Sequence, residues 1–193
     1  MQVRPLDIPD VKILTPQRFG DNRGFFSEVY SRTKLAAAGI HADFVQDNHS
    51  LSAEKGVVRG LHYQLPPMAQ DKLVRVIRGS ILDIAVDIRV GSPTFGQHVS
   101  HVISAENWAQ IWVPVGFAHG FVTLEPNTEV VYKVTNNYSP AHERGIRWDD
   151  PALQINWGIT ADSAILSAKD REYPPLSASR DLFHPLPTSA APQ

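Results

Sequence analysis

Polar and apolar positions alternate along much of the chain. Between residues 81 and 89, Leu82, Ile84, Val86 and Ile88 interleave with Ile81, Asp83, Ala85 and Asp87, the period of two that a strand requires. Other short runs, rich in β-branched and aromatic residues and ended by Gly, Pro or Asn, predict strands at 24–30, 57–64, 72–78, 97–103, 110–113, 117–123 and 129–136. Gly79-Ser80 separates two of these runs with glycine leading, which predicts a hairpin closed by a type II′ turn. One stretch, Ser31–Ala38, reads as a helix, with Ser31 as N-cap and Gly39 as the stop. Segment 140–148 is polar and reads as a loop. Many short strands with frequent turn signals predict an all-β sandwich or barrel with few short helices. Residues 1–180 read as a single domain, and 181–193 as a Pro-rich tail that is frayed or docked on a partner.

Composition narrows the choices. At 193 residues and 42% apolar side chains the chain suits one globular domain. Its 18 basic and 20 acidic residues nearly cancel, which argues against a nucleic-acid partner, although two or three arginines can still hold a small anion. With no cysteine there is no disulfide, thiolate nucleophile, Cys-ligated zinc or iron–sulfur cluster. The opening residues lack the apolar core of a signal peptide, and no apolar run is long enough for a membrane span. The expectation is a soluble, cytoplasmic protein with no membrane partner.

Candidate chemistry lies in two stretches. Gly56, His62, Gln64, Lys72 and Gly79, followed by Pro114, Gly116 and His119, have spacing that resembles the two motifs of the cupins, which are double-stranded β-helix (jelly-roll) barrels. Metal-binding cupins take His-x-His and a Glu from the first motif and another His from the second. This chain keeps His62 and His119 but has Gln64 at the second His position and Lys72 at the Glu position. An ammonium has three donors and no lone pair, so Lys72 cannot ligate a metal and would repel a divalent ion. The reading is a barrel that keeps the cupin signature and has lost the metal. A fixed ammonium can instead stabilise an enolate oxygen. His62 is the side-chain type whose unperturbed pKa (~6.5) lies near working pH. Tyr132 shares strand parity with Val130 and Val134, so its ring should point inward, where a phenol of ordinary pKa ~10 can donate a proton. Base, oxyanion stabiliser and acid in one apolar barrel describe proton abstraction beside a carbonyl and return of a proton. Each also has a plainer role: a structural histidine, a strand-edge lysine, a packing tyrosine.

Longer strings narrow the resemblance. Asp21-Asn22-Arg23-Gly24 with Glu28, Gln46-Asp47-Asn48-His49-Ser50, Arg59-Gly60-Leu61-His62-Tyr63-Gln64 and Asp71-Lys72-Leu73-Val74 are four of them. Pro114 to Phe121, Val131-Tyr132-Lys133, Asn137-Tyr138-Ser139-Pro140 and Leu166-Ser167-Ala168-Lys169-Asp170 are four more. In this order and spacing, over roughly residues 1–175, they resemble the dTDP-4-dehydrorhamnose 3,5-epimerases. The resemblance implies that His62 is the general base with Asp170 as its dyad partner, that Tyr132 is the proton donor on the opposite face of the sugar, and that Lys72 stabilises the C4 enolate oxygen with His119 close by. It further implies that Arg59, Lys169, Arg23, Glu28, Gln46, Asn48 and Glu143 hold the nucleotide diphosphate and sugar, and that Tyr138 stacks on thymine. A homodimer that works without metal, nicotinamide or other cofactor is implied, with Arg23 and Glu28 reaching the neighbouring site. Asp83, an acid of inward parity, could orient His119. The substrate implied is a dTDP-4-keto-6-deoxyhexose in L-rhamnose biosynthesis. The alternatives are an epimerase acting at C3 or C5 alone, a 3,4-ketoisomerase, a metal-dependent cupin enzyme, and a non-catalytic sugar-nucleotide binding module.

Overall fold

A computed structural model describes residues 1–184. Thirteen strands carry the fold: β1 (Gln2–Pro5), β2 (Lys12–Thr15), β3 (Arg18–Asp21), β4 (Gly24–Ser27), β5 (Gln46–Ser52), β6 (Val58–Gln64), β7 (Lys72–Arg78), β8 (Ser80–Asp87), β9 (His98–Ser104), β10 (Gln110–Val113), β11 (Phe117–Thr123), β12 (Thr128–Val134) and β13 (Glu143–Gly145). Two short α-helices join them, α1 (Arg32–Ala37) and α2 (Ala168–Glu172). The strands form a six-stranded sheet, ordered β1-β2-β10-β7-β12-β5, and a five-stranded sheet, ordered β13-β6-β11-β8-β9, with β3–β4 as a separate ribbon. Every ladder is antiparallel, and the two sheets close as a jelly roll.

Alternation explains the layers. Val74, Val76, Ile81, Ala85, Ile111, Phe121 and Val130 meet between the sheets. The opposite face of the five-stranded sheet is apolar as well: Ile84, Val86, Val122 and Tyr63 pack under Ile146, Trp148, Leu153 and Trp157. Leu73 and Trp112, behind the six-stranded sheet, are covered by Leu35 of α1 and by Ile40. Strand β8 is therefore buried on both faces, and an acid on it, such as Asp83, lies wholly inside. Among the described residues no helix is long and apolar enough to cross a membrane.

The structure corrects several expectations. β7 and β8 do not form a hairpin; they belong to different sheets, and Gly79 is where the chain crosses between them. Gly79 has φ +76° and a Cβ there would lie 2.4 Å from the Thr128 hydroxyl, so the crossing itself requires glycine. The strand expected at 24–30 ends at Ser27, and the segment read as a loop at 140–148 contains β13. Strands β1, β2, β3 and β5 had no counterpart in the sequence reading. The helix has its expected cap, with Ser31 Oγ accepting from the Lys34 N–H. In the tail, Phe183 bridges to Arg89 and Tyr63 donates its hydroxyl to the Asp181 carbonyl, while 185–193 lie outside the described residues.

Candidate active site

A one-residue register shift shapes one wall of the site. β11 pairs His119 with His62 but Phe121 with Arg59, so β6 gains a residue between them. Val58 and Leu61, three apart, consequently both reach the outer core, while His62 enters the cavity and Arg59, still exposed, reaches across to Ser52 and Leu51 of β5. Gly60 allows it: a Cβ there would meet the Gly120 Cα at 2.5 Å.

His62, Lys72 and Tyr132 line one cavity of about 260 Å³ with Gln46, Asn48, Gln64, Gln70, Tyr138 and Glu143. His62 comes from β6 in one sheet, and Lys72 and Tyr132 come from neighbouring strands of the other. Nε2 of His62 lies 2.5 Å from Oδ1 of Asp170. A carboxylate only accepts, so this nitrogen carries the proton and Nδ1 keeps its lone pair. Burial works to raise the Asp170 carboxyl, but the bonds it accepts from His62 and the Ser167 hydroxyl hold it below the usual carboxylate range. Ser167 does two jobs: it caps α2 by accepting from the Asp170 N–H, and its hydroxyl donates to Asp170 Oδ2 at 2.8 Å.

Lys72 is buried, and its ammonium donates to the His62 carbonyl at 3.3 Å. Burial pushes its pKa down to about 8, with the charges of Asp83 and Glu143 opposing the fall. Asp83 also takes Nε2 of His119 at 2.9 and 3.0 Å, so the expected Asp83–His119 contact is present, fully inside the barrel. Burial raises the Tyr132 phenol above its ordinary value, Arg59 opposing and Glu143 assisting. Gln64 spends its amide on the main chain: it donates to the Met68 and Asn137 carbonyls and accepts from the Ser139 N–H. The residue at the cupin second-ligand position thus shapes the turn that carries Tyr138.

The remaining candidates divide into two sets. Gln46 donates to Asn48 at 2.8 Å and accepts from the Tyr138 N–H at 3.0 Å. Glu143 accepts from the Tyr138 hydroxyl at 2.7 Å and from the Lys169 ammonium. Burial alone would raise Glu143, and those two bonds hold it below its ordinary value. Arg59 donates to Ser52 and to the Leu51 carbonyl. Arg23 and Glu28 are apart from the cavity: Arg23 pairs with Asp21 in the β3–β4 turn and Glu28 with Lys34. A larger hollow of about 590 Å³, between Ile8, Arg89 and Phe183, contains none of these groups. The sequence reading gave no role to Ser167, Gln70 or Tyr173. Ser167 was visible as Ser-x-x-Asp, a capping pattern, before α2.

The model of the dTDP-4-dehydrorhamnose 3,5-epimerase family matches residues 5–178. The chain belongs to that family. It is 53% identical over 176 residues to the dTDP-4-dehydrorhamnose 3,5-epimerase of Sinorhizobium fredii, covering 91% of this chain and 90% of the relative. It is 53% identical over 173 residues to that of Pseudomonas aeruginosa, covering 89% and 94%. Its fold superposes with TM-score 0.91 on the Legionella pneumophila dTDP-6-deoxy-D-glucose-3,5-epimerase, solved with dTDP-4-keto-L-rhamnose, at 42% identity over 96% of this chain and 98% of that one. The family's reaction is an isomerisation, and an epimerase must reach both faces of a carbon. Here imidazole and phenol enter one cavity from opposing sheets.

Proposed function

We propose that this chain inverts C3 and C5 of dTDP-4-dehydro-6-deoxy-D-glucose to give dTDP-4-dehydro-L-rhamnose, in the cytoplasm, as a step of dTDP-L-rhamnose biosynthesis. The observation that carries the reading is the placement of His62 and Tyr132 on opposing sheets around a buried ammonium. The C4 ketone acidifies the hydrogens on C3 and C5. Nδ1 of His62 takes one of them, and the C–H electron pair moves into the ring as the C4 oxygen gains negative charge. The Lys72 ammonium meets that oxyanion. Charge then returns to carbon, which takes the Tyr132 hydroxyl proton on the other face, and the centre is inverted. Asp170 holds the His62 tautomer and favours the imidazolium formed in the first step. Once both groups have exchanged protons with solvent, the second carbon follows the same course.

Around this centre, Arg59 and Lys169 suit the diphosphate, Tyr138 suits stacking on thymine, and Gln46, Asn48, Glu143 and His119 suit the sugar and its surroundings. Arg23 and Glu28 are assigned to the site of a neighbouring copy in a homodimer, in keeping with their distance from their own cavity.

Incubation with the keto-sugar nucleotide in D2O, followed by proton NMR, tests the assignment. Deuterium at both C3 and C5 with L-rhamno couplings is expected. Deuterium at one carbon only would make the chain a single-centre epimerase, and binding without exchange would make it a binding module.

A further inference from the structure

Gly145 stands directly opposite His62 in the β13–β6 ladder. Its missing side chain is not empty space: a Cβ there would lie 2.4–2.5 Å from three carbons of the Tyr173 ring. That ring meets the His62 imidazole edge to face, with centroids 5.6 Å apart and planes at 68°. Tyr173 is the C-cap of α2, three residues after Asp170. One short helix therefore supplies two neighbours of the imidazole, a carboxylate at Nε2 and an aromatic ring packed at a T-shaped angle to it. The Tyr173 hydroxyl is shut from solvent, with the Lys169 ammonium as a polar neighbour and no bond to His62 or Asp170, so packing seats the ring against the imidazole.

The geometry points to Tyr173 as a positioning residue for His62, seated in a slot that exists because residue 145 is glycine. The assignment rests on His62 being the base. Two contacts fix an imidazole better than one: the carboxylate sets which nitrogen is protonated, and the aromatic edge stops the ring from turning about χ2 and keeps water from the Nε2–Asp170 bond. A general base displaced by about 1 Å from its carbon can lose about 100-fold in rate. The Gly145 backbone is outside the left-handed region, and the three atoms nearest to an alanine Cβ there all belong to the Tyr173 ring.

A double-mutant cycle on the full chain tests this. Tyr173→Ala should lower kcat about 10- to 100-fold with KM for the keto-sugar nucleotide unchanged, and Tyr173→Phe should restore what the alanine loses. Gly145→Ala alone should resemble Tyr173→Ala, whereas Gly145→Ala with Tyr173→Ala should be no worse than Tyr173→Ala by itself. On the protein without substrate, the downfield proton NMR signal of the His62 Nε2–H should persist in wild type and Tyr173→Phe and exchange away in Tyr173→Ala and Gly145→Ala. Additive losses in the cycle would overturn the proposal, as would a Tyr173→Phe loss as large as that of alanine, or an unchanged Nε2–H signal in Tyr173→Ala. If Tyr173→Ala unfolds, Tyr173→Leu takes its place in the same comparison. The NMR arm needs no substrate, so failure of the substrate assignment leaves it intact.

Discussion

The Lys72 ammonium donates to the main-chain carbonyl of His62, 3.3 Å away. Lys72 and His62 are thereby fixed relative to each other across the two sheets, and the spacing between the proposed proton acceptor and oxyanion stabiliser does not depend on substrate to set it. Lys72→Met is expected to lower kcat roughly 10²–10³-fold while nucleotide affinity changes little. Equilibrium binding of dTDP beside steady-state kinetics checks this; a loss of affinity alone would make Lys72 a phosphate clamp.

Burial of Lys72 has a consequence for pH. The ammonium is the acid form, populated below its pKa, and desolvation brings that pKa down to about 8. Lowering the pKa of a required acid moves its loss to lower pH. The alkaline limb of kcat/KM should therefore fall through pH about 8, far below the range of an exposed lysine, and Lys72→Arg should remove that limb even though its activity is lower.

Tyr132→Phe removes the proton donor and leaves the base. Inversion should stop, while the substrate hydrogens facing His62 still exchange with D2O. Product formation and wash-out, followed in one NMR time course, separate the two. Equal loss of both would contradict a mechanism with one group on each face.

Asp170→Asn keeps an acceptor for the His62 Nε2–H but removes the charge that favours imidazolium. A fall in kcat of roughly 10²–10⁴-fold is expected, with little change in thermal stability.

Gln64→Leu leaves two carbonyls and the Ser139 N–H without their partner. Stability should drop by about 1–3 kcal/mol, and KM should rise more than kcat falls, because the turn that carries Tyr138 loosens. Thermal unfolding and steady-state kinetics measure the two effects.

Mixing subunits tests the assignment of Arg23 to a neighbour's site. Arg23→Ala and His62→Asn preparations should each be nearly inactive, and co-refolding them should restore activity. In a mixed dimer one site combines an intact His62 with an intact Arg23. No recovery would place Arg23 in its own chain's cavity.

Much of this fold is legible where apolar residues mark a core. The alternation in β8, the inward parity of Tyr132 and the Ser31 cap are all visible in the sequence and all present in the structure. β5 shows why the reading stops there. Its less exposed residues are polar, Gln46 and Asn48 lining the cavity with Ser50 following in the same alternation, so hydrophobic periodicity has nothing to report. The Gly79-Ser80 turn misled for a different reason: the local signal is that of a tight reversal, and tertiary packing against Thr128 uses the same backbone to change sheets. Of the site, the residues with unusual chemistry for their position, such as Lys72, were readable from spacing. Tyr173 was not, because its contact with His62 joins residues far apart in sequence and depends on the absence of a side chain at Gly145.

Between His62 and Arg59, β6 carries one residue more than its partner β11 does between His119 and Phe121. A regular strand can send only every second side chain inward, so Arg59 and His62, an odd number of steps apart, should be on opposite sides of the sheet. Deleting Gly60 would restore regularity and swing the guanidinium away from Ser52 and Leu51 while leaving the imidazole in the cavity. A shortened chain of that kind would be better paired along its backbone and, on the proposed roles, poorer as an enzyme: the irregularity lets one narrow ribbon aim an imidazole into the cavity and a guanidinium across to the next strand.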